Sequence, residues 1–403
     1  MSGFKNVNIN PATISMDASA RMRVSQSTTL HDGKVINSDN TFLFCSGGTG
    51  THTWTGNTVQ MGVTAGQYVV RQTKRFSSYS SGKSQQIECT FNNFQIETGT
   101  TKKVGYFSSS ASAPYTGQTD GFYLENDGTT IRLKSEDLGT ITLDVPMSGW
   151  TGYDLISSYD WSKFTVISFD FIWLGGALLR FFMDVPDIGL TLIHEHIFAG
   201  ELTTPFIHSP NQPIRYTLRS TTGSGSLTYI CSQVSTEGSI DESGFNHEIH
   251  SRLTAAIPSN TVATIGTSYP LLGVRKKTAN RDNSIKVTGA DIFCSSANDI
   301  LHWSLQLNPT LSAPLSWSAT TNGVEIGYPG ASAAISLTVT ANGRELTGGF
   351  TTQNQVIAGD LFSKDFFSYL GCDLNNVMDE LVLVITPITS NITLNGLIKL
   401  KEY

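Results

Sequence analysis

The chain has 403 residues and a formal net charge of −7, with 26 Lys and Arg against 33 Asp and Glu. Charged residues make up 15% of it, against roughly 25% in an average globular protein. Ser and Thr together account for about a quarter, with 37 Gly besides. That balance excludes a protein organised around a basic nucleic-acid surface. It describes a β-rich scaffold with uncharged polar faces, in which Thr favours strands and Gly, Ser and Asn supply turns. The length allows two or three domains.

Residues 1–45 are dominated by Asn, Ser, Thr and Asp and broken only by Arg21-Met22-Arg23-Val24. They read as an extended N-terminal arm, the plain alternative being a frayed terminus. Met1 to Asn10 is polar, so no signal peptide is expected.

From Thr51 to about Asp241 the sequence predicts strand after strand with short polar turns. Gln67–Thr73, Gln85–Phe91, Val104–Ser108, Gly121–Glu125, Thr130–Lys134 and Phe164–Trp173 read this way, followed by Ile214–Leu218 and Leu227–Ser232. Asn126-Asp127-Gly128 is a strong hairpin turn. Within Gly66–Phe91, Gly82-Lys83-Ser84 looks like the end of a phosphate loop, but the first glycine of that motif would fall on Ser77. Ile87, Cys89 and Phe91 then alternate with polar neighbours, which predicts a strand where a phosphate site needs a helix N-terminus. Gly66–Phe91 therefore reads as a β-hairpin with a basic, Ser-rich tip. Its cations, Arg71, Lys74, Arg75 and Lys83, are read as solvated or as meeting an acidic neighbouring subunit. With Arg21 and Arg23 they are the candidate assembly residues.

Phe164–Val185 is the longest apolar run. It carries Asp170 and Arg180 and has Gly175-Gly176 near its middle, which fits two core strands around a turn and no membrane insertion. Ser239–His250, acidic and His-containing, reads as a linker. Strands resume at Ser284–Thr288, Ile300–Leu307, Gly323–Gly327, Ala334–Thr340, Glu380–Pro387 and Ile392–Lys399, with one predicted helix over Leu361–Leu370. The fold class is all-β: the N-terminal arm, then two β-sandwich or jelly-roll-like units over 46–245 and 246–403. Parallel α/β folds fail because the strands lack intervening amphipathic helices.

Few constellations carry chemistry. His194 and His196 share one face of a strand and are the weak metal candidates, with His208 or Glu201 as a third ligand. His247 and His250 repeat the pattern within the linker. Glu125 with Asp127, Asp184 with Asp187, and Glu237 with Asp241 are carboxylate pairs by sequence proximity, and turn or surface carboxylates is the plain reading. Five scattered cysteines, Cys45, Cys89, Cys231, Cys294 and Cys372, fit neither a disulfide framework nor a zinc site, and indicate synthesis in a reducing cytoplasm. Trp173 and Trp303 sit in apolar strands and read as core, whereas Tyr79, Tyr115 and Tyr153 are the surface aromatics.

Several collinear islands carry a resemblance. They include Arg21-Met22-Arg23-Val24-Ser25, Val70-Arg71-Gln72-Thr73-Lys74-Arg75, Ser81-Gly82-Lys83-Ser84-Gln85, Gly105-Tyr106-Phe107 and Asp120-Gly121-Phe122-Tyr123-Leu124-Glu125. Further on come Phe169-Asp170-Phe171-Ile172-Trp173, Leu179-Arg180-Phe181, Pro213-Ile214-Arg215-Tyr216 and Ile230 to Gly238. Together they resemble a family of virion structural proteins of tailed bacteriophages, loosely described as fibre or structural proteins. The match spans about Arg21 to Gly238 and continues faintly through Trp303-Ser304-Leu305 and Leu307 to Thr310.

The resemblance implies a structural virion component without catalytic residues or cofactors: a capsid- or tail-attached fibre, decoration or adaptor protein. It implies synthesis in the host cytoplasm and partners among other virion proteins, with a homo-oligomer expected and a trimer as one form. No nucleic acid is expected as a partner. The alternative is a module that binds host surface glycans through 251–403. A third reading is a glycan depolymerase using carboxylates such as Glu125 or Glu237.

Overall fold

A computed structural model describes residues 26–173, 178–238, 244–252, 254, 256–257, 259–294, 300–320, 323–351, 370–389 and 391–403. The chain divides into two units, 1–241 and 242–403. Almost all regular structure is antiparallel strand, so the all-β expectation holds.

Unit 1 contains β1 (Ser27–Lys34), β2 (Phe44–Gly48), β3 (Thr51–Trp54), β4 (Val59–Val63), β5 (Tyr68–Thr73), β6 (Gln85–Asn92), β7 (Thr100–Ser108) and β8 (Asp120–Asn126). It continues with β9 (Ile131–Asp137), β10 (Thr140–Pro146), β11 (Thr165–Ile172), β12 (Leu178–Val185), β13 (Gly189–Ile197), β14 (Ile214–Ser220) and β15 (Gly225–Glu237). One sheet runs β13-β12-β11-β6-β15-β4-β3, with β1 also on β15; the other runs β10-β9-β8-β7-β14-β5-β2.

The two sheets face each other because each strand alternates. In β11, Ile167, Phe169 and Phe171 are fully buried. In the opposite sheet Tyr106, Phe122 and Tyr216 point back at them. Phe122 meets Phe169 at 5.3 Å and Phe171 at 5.0 Å between ring centroids, and Tyr216 meets Tyr229 of β15 at 5.0 Å. Burying each large apolar side chain contributes about 1.5–3 kcal/mol, so this aromatic seam holds the sandwich together.

Three expectations are corrected here. Gly66–Phe91 is not a hairpin: β5 pairs β14 and β2, whereas β6 pairs β11 and β15 in the other sheet. Residues 74–84 are a crossover, pinned where the Ser77 amide donates to the Gln212 carbonyl and the Tyr79 amide to Asn211 Oδ1. Ser84, the end of the would-be phosphate loop, donates its hydroxyl to Asp170. The arm, expected to run to residue 45, gives way to structure earlier. Ser27–Lys34 is a strand paired with Cys231–Glu237 through a bulge between Thr29 and His31. The part with Arg21 and Arg23 lies outside the described residues.

The linker is the third correction. Unit 2 begins with β16 (Phe245–His250), paired residue by residue with the last strand. It continues with β17 (Asn260–Val262), β18 (Tyr269–Lys276), β19 (Ile285–Cys294), β20 (Leu301–Leu307), β21 (Thr310–Leu311) and β22 (Ser316–Ala319). Then come β23 (Val324–Tyr328), β24 (Val339–Ala341), β25 (Arg344–Thr351), β26 (Leu381–Pro387) and β27 (Ile392–Glu402). A four-stranded sheet is built on β27, and a six-stranded sheet runs β22-β23-β18-β26-β20-β25. They enclose a core of Leu271, Leu272, Leu305, Leu383, Ile385 and Ile398 with Trp303 among them. Of the predicted strand over Ala334–Thr340, only Val339–Ala341 is regular; Ile335 bonds instead to the Thr261 carbonyl. The Gly175-Gly176 turn and the helix over Leu361–Leu370, but for Leu370, lie outside the described residues.

Candidate functional site

The outer face of the seven-stranded sheet carries a concavity. The register places Val70, Thr217, Lys103 and Glu125 side by side across β5, β14, β7 and β8. Tyr68, Arg219 and Thr101 form the next row on the same face. The intervening residues Val69, Leu218, Tyr216 and Val104 point into the core, so strand alternation alone delivers a polar floor over an apolar base.

The 109–119 loop arches over this floor and closes a cleft of about 210 Å³. Pro114, Tyr115, Thr116 and Thr119 line it from the loop side, and Phe107 from the sheet. The loop is tied by the Ser110 amide to the Gly117 carbonyl at 2.8 Å and the Tyr115 amide to the Ser112 carbonyl at 2.8 Å. Arg215, only 2% exposed, donates Nη2 to the Tyr115 carbonyl at 2.9 Å and Nη1 to Gln72 Oε1 at 3.2 Å. Tyr115 meets Tyr68 edge to face, 6.2 Å between centroids.

Beside the cleft runs a charge network. Glu125 lies between Lys103, at 3.4 Å, and Lys134. Lys103 also donates to the Tyr123 hydroxyl at 3.1 Å and sits over that ring, and Tyr123 donates in turn to Glu136. Burial pushes the Lys103 ammonium below its ordinary value, against the pull of Glu125, and pushes the Tyr123 phenol well up. At the lip, Arg219 is exposed and makes no hydrogen bond or ion pair among the described residues. The hydroxyls of Tyr68, Thr101 and Thr217 are likewise without a hydrogen-bond partner among them.

Of the residues chosen from sequence, Tyr115 lines this cleft. Glu125 does too, but clamped by two ammonium groups. Its supposed partner Asp127 turns away to accept the Thr129 and Thr130 amides, each at 2.8 Å, and to meet Arg132. Glu237 cannot be set against Asp241, which lies outside the described residues.

Arg71 is not an assembly residue on a surface. Its side chain is fully buried, forms two hydrogen bonds to Asp39 at 2.7 and 2.9 Å, and lies between the Phe44 and Tyr229 rings. The cause is parity: Arg71 stands opposite Tyr216 on the core-facing side of β5. Lys74, Arg75 and Lys83 lie half-buried in the crossover.

His194 and His196 stand on β13. His194 is 9% exposed, with Nδ1 3.5 Å from the Thr151 hydroxyl; burial, then the neighbouring His196, lowers its pKa. His196 meets Glu201 at 2.9 Å, but His208 lies instead beside Asp137 at 3.6 Å. Among the described residues no group of three His, Cys, Asp or Glu side chains converges as metal ligands. His247, on β16, pairs with Glu402 at 3.1 Å.

In unit 2, Trp303 is 3% exposed and Trp317 packs half-buried against Arg275, so neither tryptophan offers a free stacking platform. Sequence reading missed Tyr68, Thr101, Thr217 and Arg219. The signal was present in Ile214–Ser220, where Arg215, Thr217 and Arg219 alternate with Ile214, Tyr216 and Leu218.

No protein-family model and no curated protein matches the chain. Among solved structures, the carbohydrate recognition domain of Emp47p is 14% identical with a TM-score of 0.36, over 56% of this chain and 100% of that one. A carbohydrate esterase of the Shiga toxin-encoding bacteriophage phi24B is 14% identical with a TM-score of 0.34, over 53% and 100%. The CBM2 module of the evolved Dit of Lactobacillus casei BL23 phage J-1 is 10% identical with a TM-score of 0.37, over 54% and 99%. Likeness at that level carries no argument about what this chain binds or does. No helix among the described residues is long and apolar enough to cross a membrane.

Proposed function

We propose that the chain is a non-catalytic structural component of a tailed-bacteriophage virion. It is an externally exposed, capsid- or tail-attached fibre, decoration or adaptor protein that works through contacts with other virion proteins and as a homo-oligomer. The supporting observation is where the resembling segments fall. Those between residues 70 and 238 coincide with β5 to β8, β11, β12, β14, β15 and the 74–84 crossover, which together build the sandwich of unit 1. The shared pattern is therefore one of scaffold. Three carboxylates are engaged in structure: Glu125 between two lysines, Asp127 in a turn, Glu195 on Arg180 at 2.7 Å.

The test is mass spectrometry of density-purified, DNA-filled particles of the phage that encodes the chain. The expected result is its presence at a fixed ratio to the major capsid or tail protein. Absence from washed particles overturns the reading. Light scattering on the purified chain checks the oligomer, and a monomer at micromolar concentration removes that part.

A further inference from the structure

We propose that the cleft under the 109–119 loop binds one acidic sugar residue of a polysaccharide, with Arg219 holding the sugar's carboxylate. The site belongs to unit 1 itself and does not depend on the virion reading; particle composition tests one and ligand binding the other.

Size comes first. Pockets for drug-sized ligands run to about 300–1,000 Å³. At about 210 Å³ this cleft is smaller and open at the lip, so it suits a single ring whose chain continues into solvent.

Surface chemistry comes second. A pyranose has apolar C–H faces and a rim of hydroxyls. The cleft offers both complements: the rings of Tyr68 and Phe107 from the sheet and of Pro114 and Tyr115 from the loop, and the hydroxyls of Thr101 and Thr217 on the floor. Tyr combines an apolar ring with a polar tip, and the Tyr68 hydroxyl has no hydrogen-bond partner among the described residues.

Charge decides the class of sugar. Glu125 is the one carboxylate lining the cleft, and it already faces Lys103 and Lys134. Arg219 adds a further cation with no partner among the described residues. The charged side chains that line the cleft are Lys103 and Arg219 against Glu125, in a chain whose net charge is −7, and a guanidinium matches a carboxylate in two parallel hydrogen bonds. One free guanidinium beside aromatic rings suits a uronic or sialic acid better than a phosphate-rich ligand, which calls for several clustered cations.

The site is also pre-organised. Its floor is strand, and buried Arg215 fixes the Tyr115 carbonyl, so little ordering is left for binding to drive.

The experiment is calorimetric titration of the full chain with oligosaccharides containing uronic acid or sialic acid and with their carboxyl-reduced neutral forms. At least one acidic oligosaccharide should bind, at least tenfold tighter than its neutral counterpart. Arg219→Gln should erase that difference, and Tyr68→Ala should abolish binding of both, with circular dichroism and the melting temperature unchanged for Arg219→Gln. The proposal is overturned if no acidic oligosaccharide binds, if acidic and neutral forms bind equally, or if Arg219→Gln leaves the affinities as they were. Displacement by inorganic phosphate as effective as by the acidic sugar also overturns it, since that describes an anion pocket without sugar recognition.

Discussion

Arg71 and Arg219 stand on adjacent strands of one sheet and lead opposite lives. Arg71, opposite Tyr216, points into the sandwich, where Asp39 takes two guanidinium bonds, His52 Nε2 lies 3.1 Å from Nη1, and two aromatic rings cover its faces. Arg219, opposite Tyr68, points outward and meets no partner among the described residues. Composition treats the two as equal cations, and clustering in sequence even favours Arg71 as the surface one. Position in the two-residue period decides the matter, and it makes one a structural ion and the other available to a ligand.

The largest test of that contrast lies on the inner side. Asp39→Ala removes the carboxylate and leaves Arg71 charged, its side chain 0% exposed, with only the His52 ring nitrogen, 3.1 Å from Nη1, beside it; breaking a buried pair this way costs about 3–5 kcal/mol. Arg71→Met leaves Asp39, whose side chain is 18% exposed and can rehydrate, so the expected cost is smaller, roughly 2 kcal/mol. Urea unfolding of both variants checks the asymmetry. A larger cost for Arg71→Met means that the packing between Phe44 and Tyr229 outweighs the ion pair.

The same inner region should carry a pH dependence. His31, on β1, contacts Phe44 and Ser232; burial, then the charges of Arg75 and Arg71, push its pKa down to about 3. The unfolded imidazole titrates near 6.5, so its contribution is complete above that pH. It is lost as pH falls toward 3, by up to about 1.4 kcal/mol per pH unit. Asp120 runs the other way. Burial pushes it up to about 6 against the amides of His208 and Ser209. Its stabilising contribution is therefore full below the ordinary 3.8 and lost as pH rises through 6. His31→Gln should flatten the fall in urea midpoint between pH 6.5 and 4. An unchanged profile assigns the acid sensitivity elsewhere.

These residues also show how far the sequence could be read. Strands with apolar alternation, such as Thr165–Ile172 with Ile167, Phe169 and Phe171 inward, were legible because three successive inward positions are apolar. Ser27–Lys34 was not, because its buried positions are His31 and Gly33: a strand whose inner face is a neutral imidazole and a glycine has no hydrophobic signature. At that glycine a Cβ would come within 2.6 Å of the Tyr229 hydroxyl. Phe245–His250 escaped for a similar reason, with only Ile249 buried. Pairing was harder than strand existence, since it depends on register between distant segments. The eleven residues from Lys74 to Ser84 were nonetheless a usable warning, because hairpin loops usually have about 2–5. The cleft joins Tyr68, Thr101, Tyr115 and Arg219 from four separate segments, so sequence could supply its parts without their meeting.

A smaller effect is expected where the inner and outer regions touch. Arg215 faces outward yet is buried under the 109–119 loop, bonded to Gln72 and Tyr115. Arg215→Lys keeps the charge and loses the planar fork, at a cost of about 1–2 kcal/mol. Hydrogen exchange of residues 110–117 should accelerate while the amides of β14 stay protected. Unchanged exchange in the loop would mean that its own turn bonds, from the Ser110 amide to Gly117 and from the Tyr115 amide to Ser112, suffice to hold it.

The smallest effect is the most telling. Arg219→Gln should change stability by no more than about 0.5 kcal/mol, the usual range for surface substitutions away from special features. The guanidinium is exposed and gives up no partner among the described residues. A loss of 2 kcal/mol or more would place Arg219 in a structural contact like that of Arg71 and remove the contrast between the two faces. A neutral result leaves an arginine that the fold does not use, at the mouth of a cleft whose other walls are fixed. Two arginines one strand apart would then differ by about 1.5 kcal/mol or more in what the fold requires of them, and only the dispensable one would be free to serve a ligand.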